Sequence, residues 1–288
     1  MRGPIIGVDI GGTKMVLTAE WFDGHAPETL RLSTGEETHP EEIEHYISRF
    51  VSSLGQEPRA LGIAVPGLVD RGRVVACDVL PALTGWEPAN LGDRTLPVTV
   101  LNDVAAALAE GCRALPPAAT AALVAAGTGI GMAFMSDGRT FDGSRGWAGE
   151  LGSMPVRTGS GTVHLDAVAG GAALVARSGD TPAGIHAALA AGDPRIRSLI
   201  HDAGEAFGLA LATVIGLVNP EFLLLSGGTL TYDGYLDTAL ETARRTALPE
   251  LWNACTLRRP SAADPGLVVA RGAARRAAAQ RGGVLLLP

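Results

Sequence analysis

Twice in this chain an apolar strand pattern runs into a glycine-rich bend and resumes as a strand, in IIGVDIGGTKMVL (5–17) and in AALVAAGTGIGMAF (121–134). In the first, Ile6, Val8 and Ile10 fall on one face at period two, Met15 and Leu17 continue it, and Gly11-Gly12 supply the bend. A third apolar run, PEFLLLSGGTL, also closes on glycine. Strands of this kind bury their faces only against other elements, and Ala-rich helical stretches over 165–218 and near Gly272 are available to cover them. Strands and helices interleaved in this way predict an α/β chain with mixed sheets, and the repeated unit predicts a duplicated architecture. At 288 residues the chain is long for one core, which points to two lobes.

Between the glycine units the organisation is regular. PEEIEHYISRFVSSL places Ile43, Ile47, Phe50, Val51 and Leu54 on one helical face and acids in the first turn. ALGIAVPGLVD is a short strand broken at Pro66-Gly67, and VTVLND is a strand that gives way to a helix at Asn102-Asp103. The stretches around Pro116-Pro117 and 138–146 are connectors, too short for flexible linkers.

Composition narrows the function classes. With 47% hydrophobic and 18% charged residues the chain is a folded globular protein. A formal charge of −7 without any Lys/Arg-rich stripe leaves no electrostatic footprint for nucleic acid. No secretory leader and no apolar run long enough for a bilayer stand out, so a cytoplasmic protein without membrane partners is expected. Cys77, Cys112 and Cys255 are far apart, without a C-x-x-C or a neighbouring His pair, and read as small buried hydrophobes.

Several residues carry possible chemistry. Asp9 lies on the strand face opposite Ile6, Val8 and Ile10, together with Ile5 and Gly7, so its carboxylate need not enter the core. Gly11 and Gly12 let backbone N–H groups approach an anion, Thr13 adds a hydroxyl and Lys14 a charge. A carboxylate beside a phosphate cradle makes sense with a divalent cation between them, although a plain hairpin turn with a solvated Asp explains the same residues. Gly127-Thr128-Gly129-Ile130-Gly131 fits neither the dinucleotide fingerprint, which needs glycine where Met132 stands, nor the P-loop. Gly227-Gly228 would let a base or ribose approach the backbone. Asn102-Asp103, at a strand-to-helix junction, is either an ordinary helix cap or a pair in which the amide fixes a hydroxyl and the carboxylate takes its proton. Glu150 is presented by a glycine-rich loop, and Asp166 stands where a helix begins.

In this order the motifs resemble the ROK family (repressors, open reading frames and sugar kinases) of the actin-like ATPase superfamily. DIGGTK resembles its first phosphate loop, GIAVPGLVD the following strand, LNDVAAALAEG the catalytic Asn-Asp segment and AAGTGIGMAF the second phosphate loop. GWAGELGSMP resembles the sugar-binding loop and NPEFLLLSGGTL the adenosine region. The resemblance implies a two-lobed actin-like (ribonuclease H-like) fold with a central cleft. It divides the chain into an N-terminal lobe over 1–104, with the helix of about 272–288 packing back on it, and a C-terminal lobe over 105–271. ATP and Mg²⁺ are the implied cofactors. Asp9 would position the metal, directly or through water. Gly11, Gly12, Thr13, Lys14, Gly127, Thr128, Gly129, Gly227 and Gly228 would hold the nucleotide, and Asp103 would be the general base. Asn102, Gly67, Glu150, Ser153 and Asp166 would line the site of a small-molecule polyol. A homodimer is also implied.

Two departures separate the chain from the family's kinases. Their sugar loop reads E-x-G-H, whereas here it is Glu150-Leu151-Gly152-Ser153. Their cysteine-rich zinc loop ends in a sugar-contacting glutamate; the corresponding RTGSGTVHLDAVAGG has no cysteine and carries Asp166 at that place, so no structural zinc is expected. The losses are consistent with each other, because a histidine oriented through a metal site has little reason to stay once the metal has gone. Both replacements shorten the side chain; His164, in the same loop, is a weak candidate to compensate. The expectation is an ATP-dependent kinase for the exocyclic primary hydroxyl of a hexose or hexose-shaped polyol, or one specialised for a carbasugar or seven-carbon cyclitol of the valiolone type. A catalytically inactive sugar sensor is the further alternative. A DNA-binding repressor is not expected, since the phosphate strand starts within the first ten residues.

Overall fold

In the computed structural model, which describes residues 3–21, 25–88, 96–159, 161–259 and 265–282, the chain divides into two units. The first comprises Met1–Ala119, Met135–Ala148 and Ser261–Pro288, and the second Thr120–Phe134 and Gly149–Pro260. The first unit opens with β1 (Ile5–Ile10), β2 (Lys14–Glu20), β3 (Glu28–Ser33) and α1 (Pro40–Ser53), followed by β4 (Ala60–Val65), the small hairpin β5 (Leu68–Asp70) and β6 (Arg73–Ala76), then β7 (Val98–Asn102) and α2 (Asp103–Gly111). Its main sheet has the order β3-β2-β1-β4-β7, antiparallel across the first three strands and parallel from β1 through β4 to β7. As the alternation requires, Ile6, Val8, Ile10, Met15 and Leu17 pack with Ile43, Ile47 and Phe50 of α1 in one buried cluster.

The second sheet repeats this plan with the order β10-β9-β8-β13-β14: β8 (Ala121–Ala126), β9 (Ile130–Ser136), β10 (Arg139–Thr140), β13 (Phe222–Ser226) and β14 (Thr256–Arg258), with β8, β13 and β14 parallel. Between the halves run a hairpin of β11 (Pro155–Thr158) and β12 (Gly161–His164), then α3 (Asp166–Ala169), α4 (Gly171–Ser178), α5 (Pro182–Ala190) and α6 (Pro194–Val218). After β13 come α7 (Tyr235–Thr246) and α8 (Pro249–Ala254). The core of this unit is built from β8, β13, α6 and α7, with Phe207 and Tyr235 fully buried and their rings 5.5 Å apart. By length and composition α6 is apolar enough to cross a bilayer, against the expectation from sequence, yet more than half of its apolar window is buried inside this core. Its hydropathy is that of a central helix.

The chain then returns to the first unit as α9 (Val268–Gly282); residues 283–288 of the expected terminal helix lie outside the described residues. This helix covers the second face of the first sheet, where Ile5, Ala60, Ala274 and Ala277 form one cluster and Ala64, Leu101, Ala106 and Ala273 another. The face that carries Asp9 is therefore roofed by α9 rather than open. The approach is close because β1 and β4 each lack a side chain at adjoining positions. Gly7 and Gly62 are register partners, and a Cβ on them would collide with the carbonyls of Ala270 and Ala273. Buried Glu110 of α2 receives Arg275 Nε at 2.6 Å, which ties α2 to α9 and keeps it in the first unit, beyond the expected boundary at residue 104. Residues 135–148 belong there too, held by Arg276 of α9, which donates to Thr140 Oγ1 at 2.7 Å, and by Arg145 with Asp70 at 3.4 Å.

Candidate functional site

In the first unit, Asp9 and Asp103 stand at the C-terminal ends of the parallel strands β1 and β7, a usual position for functional groups in α/β sheets. The Asp9 pKa is raised to about 7, first by burial and then by the Asp103 charge, with Lys14 offsetting part of the rise. Two carboxylates whose negative charges repel are a hard oxygen donor set that suits a divalent cation. Asn102 is the N-cap of α2: its Oδ1 accepts from Val104 N–H at 2.8 Å, while its amide donates to the carbonyl of Gly67 at 3.2 Å. The capping role weighed for Asp103 is thus filled by its neighbour, although Asp103 Oδ1 also receives Val104 N–H at 2.8 Å. Gly67 itself leaves no room for a side chain beside the carbonyl of Ala76, so the pair Gly67–Asn102 is brought together by the fold.

The first glycine bend works through space and not through backbone handedness. Neither Gly11 nor Gly12 has positive φ, as a tight hairpin turn would require. Val79 instead packs so that a Cβ on Gly12 would meet its Cγ1 at 2.5 Å. Gly11 N–H closes onto the Lys14 carbonyl at 2.9 Å, and Thr34 Oγ1 donates to the Gly11 carbonyl. Among the described residues Gly12 and Thr13 N–H then have no acceptor in the protein, whereas the Gly11 N–H is taken by the Lys14 carbonyl.

In the second unit the loop between β8 and β9 is constrained on both sides. The Gly127 carbonyl accepts from Gly171 N–H at 2.9 Å and Thr229 Oγ1 at 2.8 Å, and the Thr128 carbonyl from Ala172 N–H at 3.0 Å. Gly127 N–H bonds the Gly129 carbonyl at 2.9 Å, and Ile130 N–H donates to Asp166 Oδ1 at 2.6 Å. Among the described residues this leaves Thr128 and Gly129 N–H without a protein acceptor, a pair of donors suited to an anion. The start of α4 is a contributor that sequence reasoning missed; the signal was Gly170-Gly171, where a side chain on Gly171 would strike Gly127. Gly227, at φ 107°, is pressed against the Ala126 carbonyl, while Gly228 borders open space.

Glu150 precedes a 3-10 turn over Leu151–Ser153 and reaches solvent, as does Ser153. Partial desolvation of its carboxyl and the nearby Asp166 push its pKa up. Desolvation also raises Asp166, against the Ile130 hydrogen bond and the charge of His164, an exposed residue on β12. The stretch read as the counterpart of the zinc loop forms the β11–β12 hairpin, closed by Thr158 Oγ1 to the Gly161 carbonyl at 3.0 Å. Behind α3 the buried Tyr235 hydroxyl donates to the Ala169 carbonyl at 2.8 Å. Tyr235→Phe is expected to lower stability by about 1–2 kcal/mol, read as a drop in melting temperature of about 2–4 °C. Burial raises the thiol pKa of Cys77, of Cys255 and, to about 12, of Cys112, which suits packing residues and not nucleophiles.

The family model described as "ROK family" matches residues 5–277. The chain is 31% identical over 253 residues to the bifunctional enzyme NanE/NanK of Brucella suis, covering 83% of this chain and 47% of that protein, so it spans about half the length of the curated relatives it first matches. It is 25% identical over 257 residues to an N-acetylmannosamine kinase of Shigella flexneri, covering 81% of this chain and 85% of the relative. Among solved structures, a ROK hexokinase from Thermus thermophilus superposes with a TM-score of 0.81 at 26% identity, over 97% of this chain and 99% of the other. A ROK family glucokinase from Streptomyces griseus, solved with glucose and AMPPNP, gives 0.72 at 26% identity, over 97% and 100%.

Proposed function

Because the chain belongs to the ROK family, whose model it matches from residue 5 to residue 277, we propose that it is an ATP- and Mg²⁺-dependent kinase acting on the exocyclic primary hydroxyl of a hexose or hexose-shaped polyol. The observation that carries this reading is the pairing of Asp9 with Asp103, two mutually repelling carboxylates at the ends of β1 and β7, the parallel strands on either side of β4. Their charge is costly without a cation and useful with one. Mg²⁺, held by Asp9 directly or through water, would neutralise charge on the transferring phosphoryl group. Asp103 takes the proton of the attacking hydroxyl; in the first unit the N–H groups of Gly12 and Thr13 with the Lys14 ammonium, and in the second unit those of Thr128 and Gly129, are the donors suited to phosphate oxygens. Gly227 and Gly228 border the adenosine, and Glu150 orients a ring hydroxyl. Asn102, whose amide donates one N–H to the Gly67 carbonyl and keeps a second for a ring hydroxyl, fixes the start of α2 and hence the aim of Asp103.

The departures in the acceptor loop support a second reading of the same chemistry. Ser153 stands where family kinases carry histidine, and the β11–β12 hairpin occupies the place of a zinc loop. Both features normally help to read a ring oxygen and an anomeric centre, which a carbasugar or seven-carbon cyclitol lacks. The site in this reading holds no zinc, and the protein acts in the cytoplasm as a homodimer.

ADP release with Mg-ATP, measured against glucose, mannose, N-acetylglucosamine, N-acetylmannosamine and valiolone-type cyclitols, separates the readings. Turnover of an ordinary hexose selects the first, and turnover of cyclitols alone selects the second. Binding of ATP without turnover of any compound would overturn the kinase assignment in favour of a sugar sensor.

A further inference from the structure

We infer that Asp166 is a positioning residue that sets the geometry of the 127–131 glycine loop and makes no contact with the phosphoryl acceptor, an inference that rests on the kinase reading above. Its carboxylate is turned onto backbone. Oδ1 accepts from Ile130 N–H at 2.6 Å, a short charge-assisted bond. A Cβ on Gly129 would lie 3.2 Å from Oδ2, and one on Gly152 would collide with both oxygens. The Asp166 backbone carbonyl in turn accepts Gly170 N–H at 3.1 Å, just before the two amides of α4 that hold the Gly127 and Thr128 carbonyls. One residue thereby joins the glycine loop, the 3-10 turn of the acceptor loop and the start of α4.

The consequence is geometric. With the carbonyls of Gly127 and Thr128 held and Gly127 N–H closed onto Gly129, the bond from Asp166 to Ile130 is what fixes the far end of the loop. Thr128 and Gly129 N–H are then pre-aimed, and donors aimed in advance stabilise developing charge without reorganising during reaction. The Asp166 carboxylate reaches Ile130 N–H across positions 129 and 152, both glycine, and a Cβ at 152 would collide with it.

The test is calorimetric titration of the full chain with Mg-AMPPNP in the absence of any acceptor, alongside KM values for ATP and for the acceptor found in the panel. Asp166→Ala should weaken nucleotide binding roughly tenfold to a hundredfold, the loss expected for a hydrogen bond to a charged group. Its acceptor KM should stay within about twofold of the parent value. Asp166→Asn keeps an oxygen for Ile130 N–H and should bind nucleotide within about threefold of the parent protein. A direct acceptor contact would give the opposite pattern: a raised acceptor KM in both variants with unchanged nucleotide affinity, which overturns the inference. Should Asp166→Ala lose its fold by circular dichroism, Asp166→Asn decides alone, since only an acceptor contact would raise its acceptor KM. Failure of the unsubstituted protein to bind Mg-AMPPNP would overturn the kinase reading itself, a result distinct from either pattern.

Discussion

Asp103→Asn is expected to lower kcat by about a thousandfold, the middle of the range that a positioned general base contributes, with both KM values within a few-fold of the parent. The substitution preserves volume and the Oδ1 acceptor for Val104 N–H, so α2 should start as before on its Asn102 cap. What is lost is the ability to take the hydroxyl proton, an interaction made only as the phosphoryl group transfers, and losses of that kind appear in kcat rather than in KM. A thousandfold corresponds to about 4 kcal/mol in the barrier. The variant should fold at least as well as the parent in metal-free buffer, because it removes a charge that repels Asp9. Steady-state turnover by coupled ADP detection, together with thermal melting, checks both statements. Activity within a few-fold of the parent would show that Asp103 is not the base.

What could be read from the residues follows from the range over which each feature is determined. The strand–glycine–strand units, the helix over Pro40–Ser53 and the strand-to-helix junction at Asn102-Asp103 are local patterns, and the structure has each of them. Gly7 and Gly62 carry no such local sign. Their reason is the backbone of α9, more than two hundred residues further along the chain, and one turn of that helix explains why two strands drop a side chain at the same register. For the same cause the face that carries Asp9, set apart in sequence only as the one opposite Ile6, Val8 and Ile10, is roofed. Gly11-Gly12 was legible as a bend but not as a bend made necessary by Val79. Asp166 was legible as a carboxylate near the acceptor loop, whereas the direction of that carboxylate depends on Ile130, Gly129 and Gly152 at once. The placement of 135–148 with the first unit rests on long-range arginine pairs at Asp70 and from Arg276, which periodicity does not encode.

Asp9→Asn should abolish most activity and yet stabilise the metal-free protein at neutral pH, an opposition that a purely structural aspartate would not produce. The Asp9 pKa is raised from 3.8 to about 7, first by burial and then by the Asp103 charge. Between those two values the folded state holds more protons than the unfolded chain, so the unfolding free energy falls as pH rises from about 4 to about 7. Above that window the ionised group weighs on the fold by up to about 3 kcal/mol, at 1.36 kcal/mol per pKa unit with allowance for its partial exposure. Asparagine carries no such charge. In EDTA the variant should therefore melt above the parent at pH 8, and the gap should close as pH falls below about 4. Saturating Mg²⁺ should raise the parent's stability through mass action and leave the variant's unchanged. Urea melts at pH 4, 6 and 8 with EDTA or Mg²⁺ measure every term, and a variant less stable than the parent in EDTA at pH 8 would refute the assignment. Activity should fall about a hundredfold or more if, as proposed, Asp9 holds the cation that neutralises charge on the phosphoryl group.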